Sequence, residues 1–415
     1  MTITKKEFIV LAVMLYMAYI VIMPKWGLDG DMRSWMEWSK YMYENGLVNV
    51  YRCGANYMPG FIYFLWINTK IQHTAENVQD NLYVFKFAVL AFDFIGAYLA
   101  VFFIHDRTRK LYAFLFILLN IAWIYNTVVW AQVDSIFSCI GFAAIVAALN
   151  RKLILSCILL VVALNFKIQA LVFIPVTCLV LFPQYINRFS IGLNLKIFAA
   201  ILIAGIVMIF PFLIKGHAGD IWHVVTTAVG SYPYISVAAM NFWHLLIPGS
   251  IEEHFHVFDN RVFSGLTYKT WGLLMFFSAV FLSCLPFFIF IYKRCVRKLN
   301  VDFPLEKIFL MSALTAASFF YFNTQMHERY FHPALISLAA YTFLSGNYFP
   351  FVIGSVAYFL NLERILNSLA LTNYKTLIFH PVFVALLFLV LIIYLFFRLY
   401  SPKQFNTQNI PLSYE

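Results

Sequence analysis

Apolar residues fall in long blocks, and polar residues gather in the segments between them. Twelve apolar stretches stand near 7–24, 82–104, 111–127, 135–149, 153–165, 170–183, 194–214, 271–292, 305–322, 331–345, 349–366 and 377–398. A bilayer-spanning helix takes about 20 mostly apolar residues. A chain in lipid must satisfy its own backbone hydrogen bonds, and helices do so within one segment. The pattern therefore predicts an all-α polytopic membrane protein with about 12 transmembrane helices, within a range of 10–13. The stretches 135–149, 153–165 and 170–183 are short, as suits a thinned bilayer or helices packed inside a bundle. Phe8–Met23 is too long for a signal-peptide core and lacks a small-residue cleavage pattern, so it reads as the first span.

Two long polar segments, 25–81 and 215–270, interrupt this rhythm. Within the first, Met32–Asn45 is amphipathic at helical spacing. Trp35, Trp38, Tyr41 and Met42 share one face, Arg33, Glu37, Lys40 and Glu44 lie elsewhere, and Gly46 is a natural stop. This predicts an interfacial helix with its aromatics at headgroup level. Tyr57-Met-Pro59-Gly60 marks a re-entrant turn into the aromatic stretch Phe61–Trp66.

Composition narrows the class further. The 415 residues are 62% hydrophobic and 12% charged, against about 25% charged in soluble domains. A soluble fold and a disordered chain are both excluded, and residues 1–415 read as one integral membrane domain. The net charge of +10 would suggest nucleic acid in a soluble protein. Here the basic residues collect in short connections, as the positive-inside rule requires, and no nucleic acid is implied. With Lys5 and Lys6 cytoplasmic, Arg107/Arg109/Lys110, Arg151/Lys152, Arg188, Lys293/Arg294/Arg297/Lys298 and Arg398/Lys403 fall on the same side. Both termini are then cytoplasmic. The six Cys form no CxxC and predict neither a disulfide framework nor a zinc site.

The other polar clusters all fall on the opposite, extracytoplasmic face. Charges at span ends are costly and mark function. Asp29 and Asp31 precede the interfacial helix; Asp31 reads as a helix cap or as a general base. In Trp130-Ala-Gln132-Val-Asp134, Asp134 reads as an N-cap, or Gln132 and Asp134 hold sugar hydroxyls. Lys167 in Lys167-Ile-Gln169 either snorkels to the interface or meets an anionic phosphate. His327-Glu328-Arg329 either anchors a helix end through an ion pair or recognises phosphate, for which the guanidinium fork is suited. The cluster is not HExxH, and the histidines of 215–270 are irregularly spaced, so a divalent metal is not favoured and no cofactor is expected. That segment reads instead as a lid or acceptor-binding element. Asp93, inside the second stretch, pairs with Lys86 or with another helix. No Walker motif or GxSxG occurs, which argues against an ATP-driven pump.

In order and character these clusters resemble the GT-C superfamily of integral membrane glycosyltransferases, and within it the bacterial family related to the GPI mannosyltransferases. The resembling pieces are Gly30-Asp31 with Trp38 and Gly46, Val50-Tyr51 with Tyr57-Met-Pro59, Trp130-Ala-Gln-Val-Asp134-Ser135, Lys167-Ile-Gln169, and Thr324 through Tyr330 with Pro333. Ala131 stands where the family usually has Gly, and Ile168 where it usually has Pro. The resemblance implies a GT-C fold and a polyprenyl-phosphate-linked sugar donor. It also implies transfer with inversion to a glycan or glycolipid acceptor at the extracytoplasmic face of a bacterial plasma membrane. Asp31 would be the base, with Asp29 as backup. Arg329, His327 and Lys167 would bind the donor phosphate, while Glu328, Gln132, Asp134, Gln169 and Tyr57 would shape the site. Two other classes compete: a flippase for lipid-linked saccharides, and a polysaccharide polymerase or ligase with a lipid-diphosphate donor.

Overall fold

The computed structural model describes residues 3–228, 230–299, 303–371 and 376–402; Lys403 of the last basic segment lies outside them. A helix stands at every one of the twelve apolar stretches. In chain order the first helices are α1 (Lys5–Ile22), α2 (Asp29–Asn45), α3 (Pro59–Gln72), α4 (Ala75–Asp80), α5 (Phe85–Ala100), α6 (Arg107–Leu118) and α7 (Ile121–Ile124). Next come α8 (Asp134–Leu149), α9 (Leu153–Phe166), α10 (Ile174–Asn187), α11 (Ile191–Ile214) and α12 (Ala218–Thr227). After the short α13 (Trp243–Leu246) and α14 (Ile251–His254) follow α15 (Tyr268–Ile291), α16 (Leu305–Phe322), α17 (His332–Ser345), α18 (Phe349–Leu366) and α19 (Pro381–Tyr400). A two-residue hairpin, Val262–Phe263 with Leu266–Thr267, is the only sheet among the described residues.

Among the described residues seven helices are long and apolar enough to cross a membrane alone, and eight if the bent pair at 107–129 is one span. The others among the twelve fall short for identifiable reasons. α8, α9 and α17 have 16, 14 and 14 residues, and α1 opens on Lys5, Lys6 and Glu7, where a Thr4–Glu7 capping box fixes its start. The bent pair breaks by 61°. There Asn120 turns its side-chain oxygen to the amides of Ala122 and Trp123, at 3.0 and 3.3 Å, and starts a new helix.

Lipid contact is written in the burial. The most apolar window of α11 has a mean hydropathy of 2.9 yet only 6% of it is buried. Water would not tolerate such a face, whereas acyl chains do. By contrast α16 is 83% buried and packs on α17, α15 and α19. The chain is thus an all-α polytopic membrane protein with central and lipid-facing helices.

The amphipathic helix of the first long segment differs from expectation in two ways. It starts at Asp29, with Leu28 as its N-cap, so Asp31 sits inside the first turn and does not cap. Its aromatic face also turns into the protein. Trp35, Trp38 and Met42 are buried, with Trp35 edge-on to Phe61 and Phe85 at ring separations of 5.2 and 5.3 Å. Burying each such side chain contributes about 1.5–3 kcal/mol. The headgroup region offers less to a face this apolar than the facing helices α3 and α5 do. Gly46, with φ of 82°, ends the helix as its position predicts.

Candidate active site

Several separate segments deliver polar side chains to one cavity of about 500 Å³ or to the layer directly behind it. Asp31 comes from the first turn of α2. Lys86, fully buried on α5, fixes the chain just before that helix. Its ammonium donates to the carbonyls of Pro24 (2.7 Å), Trp26 (2.7 Å) and Val128 (3.0 Å). Those three bonds use all three donors of the ammonium, so it is not the partner of Asp93. Gly27 completes the junction: its α-carbon lies so near the 130–131 turn that a Cβ would stand 2.4 Å from the Cβ of Ala131.

The second segment turns at Ala131, whose φ of 67° is in the left-handed region. Glycine adopts that conformation without strain, which gives a physical reason for the glycine that the resemblance expects there. The turn aims Gln132, and its amide nitrogen donates to the Asp31 carboxylate. Two residues on, Asp134 is the first residue of α8, and Val133 is the N-cap. Instead of capping, Asp134 is fully buried and bonds Lys167 at 2.5 Å. Lys167 leaves α9 with extended backbone and lies 5.1 Å from the Tyr330 ring centroid. Its ammonium therefore points inward rather than snorkelling, and a buried cation in that position requires the buried carboxylate it meets.

Arg329 closes the ring between α16 and α17. Its guanidinium is 2.8 Å from Glu328, 3.7 Å from Asp31 and 3.9 Å from Asp134. Burial works against its charge, but Asp31 and Glu328 hold its pKa well above the ordinary arginine value. Burial pushes Glu328 above the usual carboxylate range, against the pull of Arg329. Lys167 is lowered by burial despite Asp134. Burial, with Arg329 and Lys167 nearby, drives His327 well below the ordinary histidine value, so its ring is neutral at pH 7. That ring is edge-on to Tyr232, with centroids 5.0 Å apart.

Asp31, Tyr57, Lys167, Gln169, His327 and Arg329 all line the cavity. Gln132, Asp134 and Glu328 bond to those residues from behind. Asp29 does not line it: its side chain is 74% exposed and pairs with Arg33 one turn on. Sequence reasoning did not find Tyr232, Asn56 or Lys269, which also line it. Nothing in their local sequence sets them apart. Asp259 lies in the 215–270 segment. It accepts from Thr324 (2.9 Å) and Gln325 (2.7 Å) and so secures the turn that carries His327.

Beside these charged side chains the cavity is lined by apolar ones, among them Phe166, Ile168, Leu171, Leu273 and Phe319. Leu171 and Leu273 are 49% and 41% exposed. The lining thus combines buried charge with partly exposed aliphatic side chains on α15 and on the turn before α10. Among the described residues no group of three or more His, Cys, Asp or Glu is placed to hold a metal ion. No protein-family model matches this chain, and no curated protein matches it at a significant level.

Proposed function

We propose that the chain is an inverting glycosyltransferase of the GT-C type, with about twelve membrane crossings. It moves a hexose from a polyprenyl-phosphate donor to a glycan or glycolipid acceptor at the extracytoplasmic face of a bacterial plasma membrane. The carrying observation is the approach of the half-shielded Asp31 carboxylate to the buried Arg329 guanidinium, 3.7 Å apart in one cavity that apolar side chains also line. A lipid-phosphate donor presents these same three features: an anion, a polar sugar and a long apolar chain.

In the reaction an acceptor hydroxyl attacks the anomeric carbon. The bond from that carbon to the phosphate oxygen breaks, and its electron pair leaves on polyprenyl phosphate. The hydroxyl proton goes to Asp31, whose carboxylate Gln132 orients. Arg329, with fixed charge, receives the growing negative charge of the phosphate, assisted by Lys167. Phosphate leaves without a general acid, so the neutral His327 shapes the cavity and transfers no proton. Asp29 is exposed, paired and outside the cavity, which favours Asp31 as base.

The test is release of polyprenyl phosphate by purified protein from synthetic polyprenyl-phosphate mannose, glucose and galactose. Asp31→Asn is expected to lose about 10²–10⁴-fold in rate, while Asp29→Asn stays within a few-fold of wild type. An Asp31→Asn protein that is folded and fully active removes the base assignment. Binding of donor without release of polyprenyl phosphate, whatever sugar acceptor is supplied, favours a flippase instead.

A further inference from the structure

A second hollow of about 620 Å³ adjoins the cavity. It lies between the 51–56 turn and α12 with the turn that follows. Asn56, Val224, Thr227 and Ser231 line both spaces, so they share one wall. Its size is that of an ordinary ligand site. The phenol of Tyr51 donates to the carbonyl of Tyr57 at 3.1 Å and ties this wall to a residue of the main cavity.

The chemistry of the hollow differs from that of its neighbour. The main cavity holds Lys167, Lys269 and Arg329, whereas among the described residues no lysine or arginine lines the hollow. Its one carboxylate, Asp220, is fixed by the buried His217 at 2.7 Å. Thr226 and Thr227 donate their hydroxyls to carbonyls of their own helix, at 2.9 and 2.6 Å. What those hydroxyls offer a ligand is therefore their lone pairs. Asn56 and His223 contribute an amide and an imidazole. Acceptor oxygens, an amide and a carboxylate without a cation suit a ligand rich in hydroxyl donors and bearing no negative charge.

We propose that this hollow is the acceptor subsite and takes a neutral saccharide, whose nucleophilic hydroxyl reaches across the shared wall toward Asp31. The inference rests on the glycosyltransferase reading of the main cavity. It assigns the 215–270 segment the recognition of acceptor sugar, with donor phosphate bound on the other side of Thr227 and Ser231.

Binding is tested on the full chain in lipid nanodiscs by saturation-transfer NMR. The probes are maltose, lactose, α-1,2-mannobiose and N,N′-diacetylchitobiose, beside glucuronic acid and inorganic phosphate as anions. Undecaprenyl phosphate binding is followed in parallel. Thr226→Trp, on an exposed position of α12, fills the hollow, and His223→Ala removes a polar contact. At least one neutral disaccharide is expected to bind. Thr226→Trp weakens it tenfold or more and His223→Ala severalfold, while Arg329→Gln weakens undecaprenyl phosphate far more than disaccharide. Failure of every disaccharide to bind, binding of an anion that Thr226→Trp weakens as strongly as it was to weaken the disaccharide, or unchanged saccharide affinity in both variants overturns the subsite. Loss of disaccharide in Arg329→Gln as large as the loss of undecaprenyl phosphate also overturns it. Undecaprenyl phosphate that binds equally well to Arg329→Gln instead defeats the reading of the main cavity, so the two failures are told apart.

Discussion

Replacing Gly27 by alanine tests whether the junction between the first two site segments sets the rate. The added Cβ stands 2.4 Å from the Ala131 Cβ and 2.9 Å from the Trp130 carbonyl oxygen. Carbon atoms rest at about 3.5–4.0 Å, so the two backbones must part by roughly 1 Å. The bond from the Leu28 amide to the Trp130 carbonyl, 3.0 Å long, crosses the same contact. Gln132 follows Ala131 directly, and Asp31 lies one helical turn beyond Gly27, so the parting falls on their hydrogen bond. Overpacking of this kind costs about 1–3 kcal/mol in stability. A displacement of about 1 Å at reacting groups costs about 100-fold in rate. The assay is kcat/KM for sugar transfer from a synthetic polyprenyl-phosphate sugar, expected to fall about 100-fold in Gly27→Ala. Adding Ala131→Gly removes the nearest carbon and relieves a left-handed alanine, so the double variant is expected to recover at least tenfold. The Trp130 oxygen remains close and limits that recovery. Wild-type activity in Gly27→Ala, or a double variant no better than the single, refutes the reasoning.

Other consequences are as concrete. Lys86→Met leaves three carbonyls without their donor. At about 1–3 kcal/mol for each unpaired group, thermal unfolding in detergent should shift down by several degrees, and an unchanged midpoint contradicts the bracing role. His244 and His254 stack with rings 3.8 Å apart in the 215–270 segment. Burial, then the His254 and His380 rings nearby, pushes His244 down to about 3. Its folded pKa lies below the unfolded value of about 6.5, so this stability is present above pH 6.5 and is lost as pH falls toward the folded value. Between pH 7 and 5 the loss is about 2 kcal/mol. His244→Phe should flatten the unfolding profile over that interval, and an equally steep profile removes His244 as its cause.

The block pattern placed a helix at each of its twelve apolar stretches because apolar content decides which segments leave water, but it gave no sign of α4, α12, α13 and α14 in the polar segments. It could not decide which faces meet lipid and which meet protein. α2 shows the difference: its aromatic stripe is the same for a headgroup region and for Phe61 and Phe85. Most of the site was legible, since buried charge is expensive wherever it occurs, and Asp31, Lys167 and Arg329 declare themselves on that ground. Their pairing was not legible. Asp134 looked like a helix cap because its partner, Lys167, arrives from another helix. Lys86 looked like a partner of Asp93, since bonds to the carbonyls of Pro24, Trp26 and Val128 leave no mark in the pattern of side chains. Tyr232 and Asn56 stayed hidden for a related reason, as their roles come from where two loops meet.

The ring of ion pairs also has a meaning for biosynthesis. Asp31, Asp134 and Lys167 are all made long before Arg329, which completes the ring from the turn between α16 and α17. Until that turn is in place, Asp31 lacks its cation and the 215–270 segment lacks the Met326 carbonyl to which the Val237 amide donates at 2.9 Å. A nascent chain halted before α16 would therefore carry two carboxylates facing one lysine in an unfinished cavity. Assembly of this charged cluster is a late step of synthesis, and a chain released early lacks it however well its first helices have inserted.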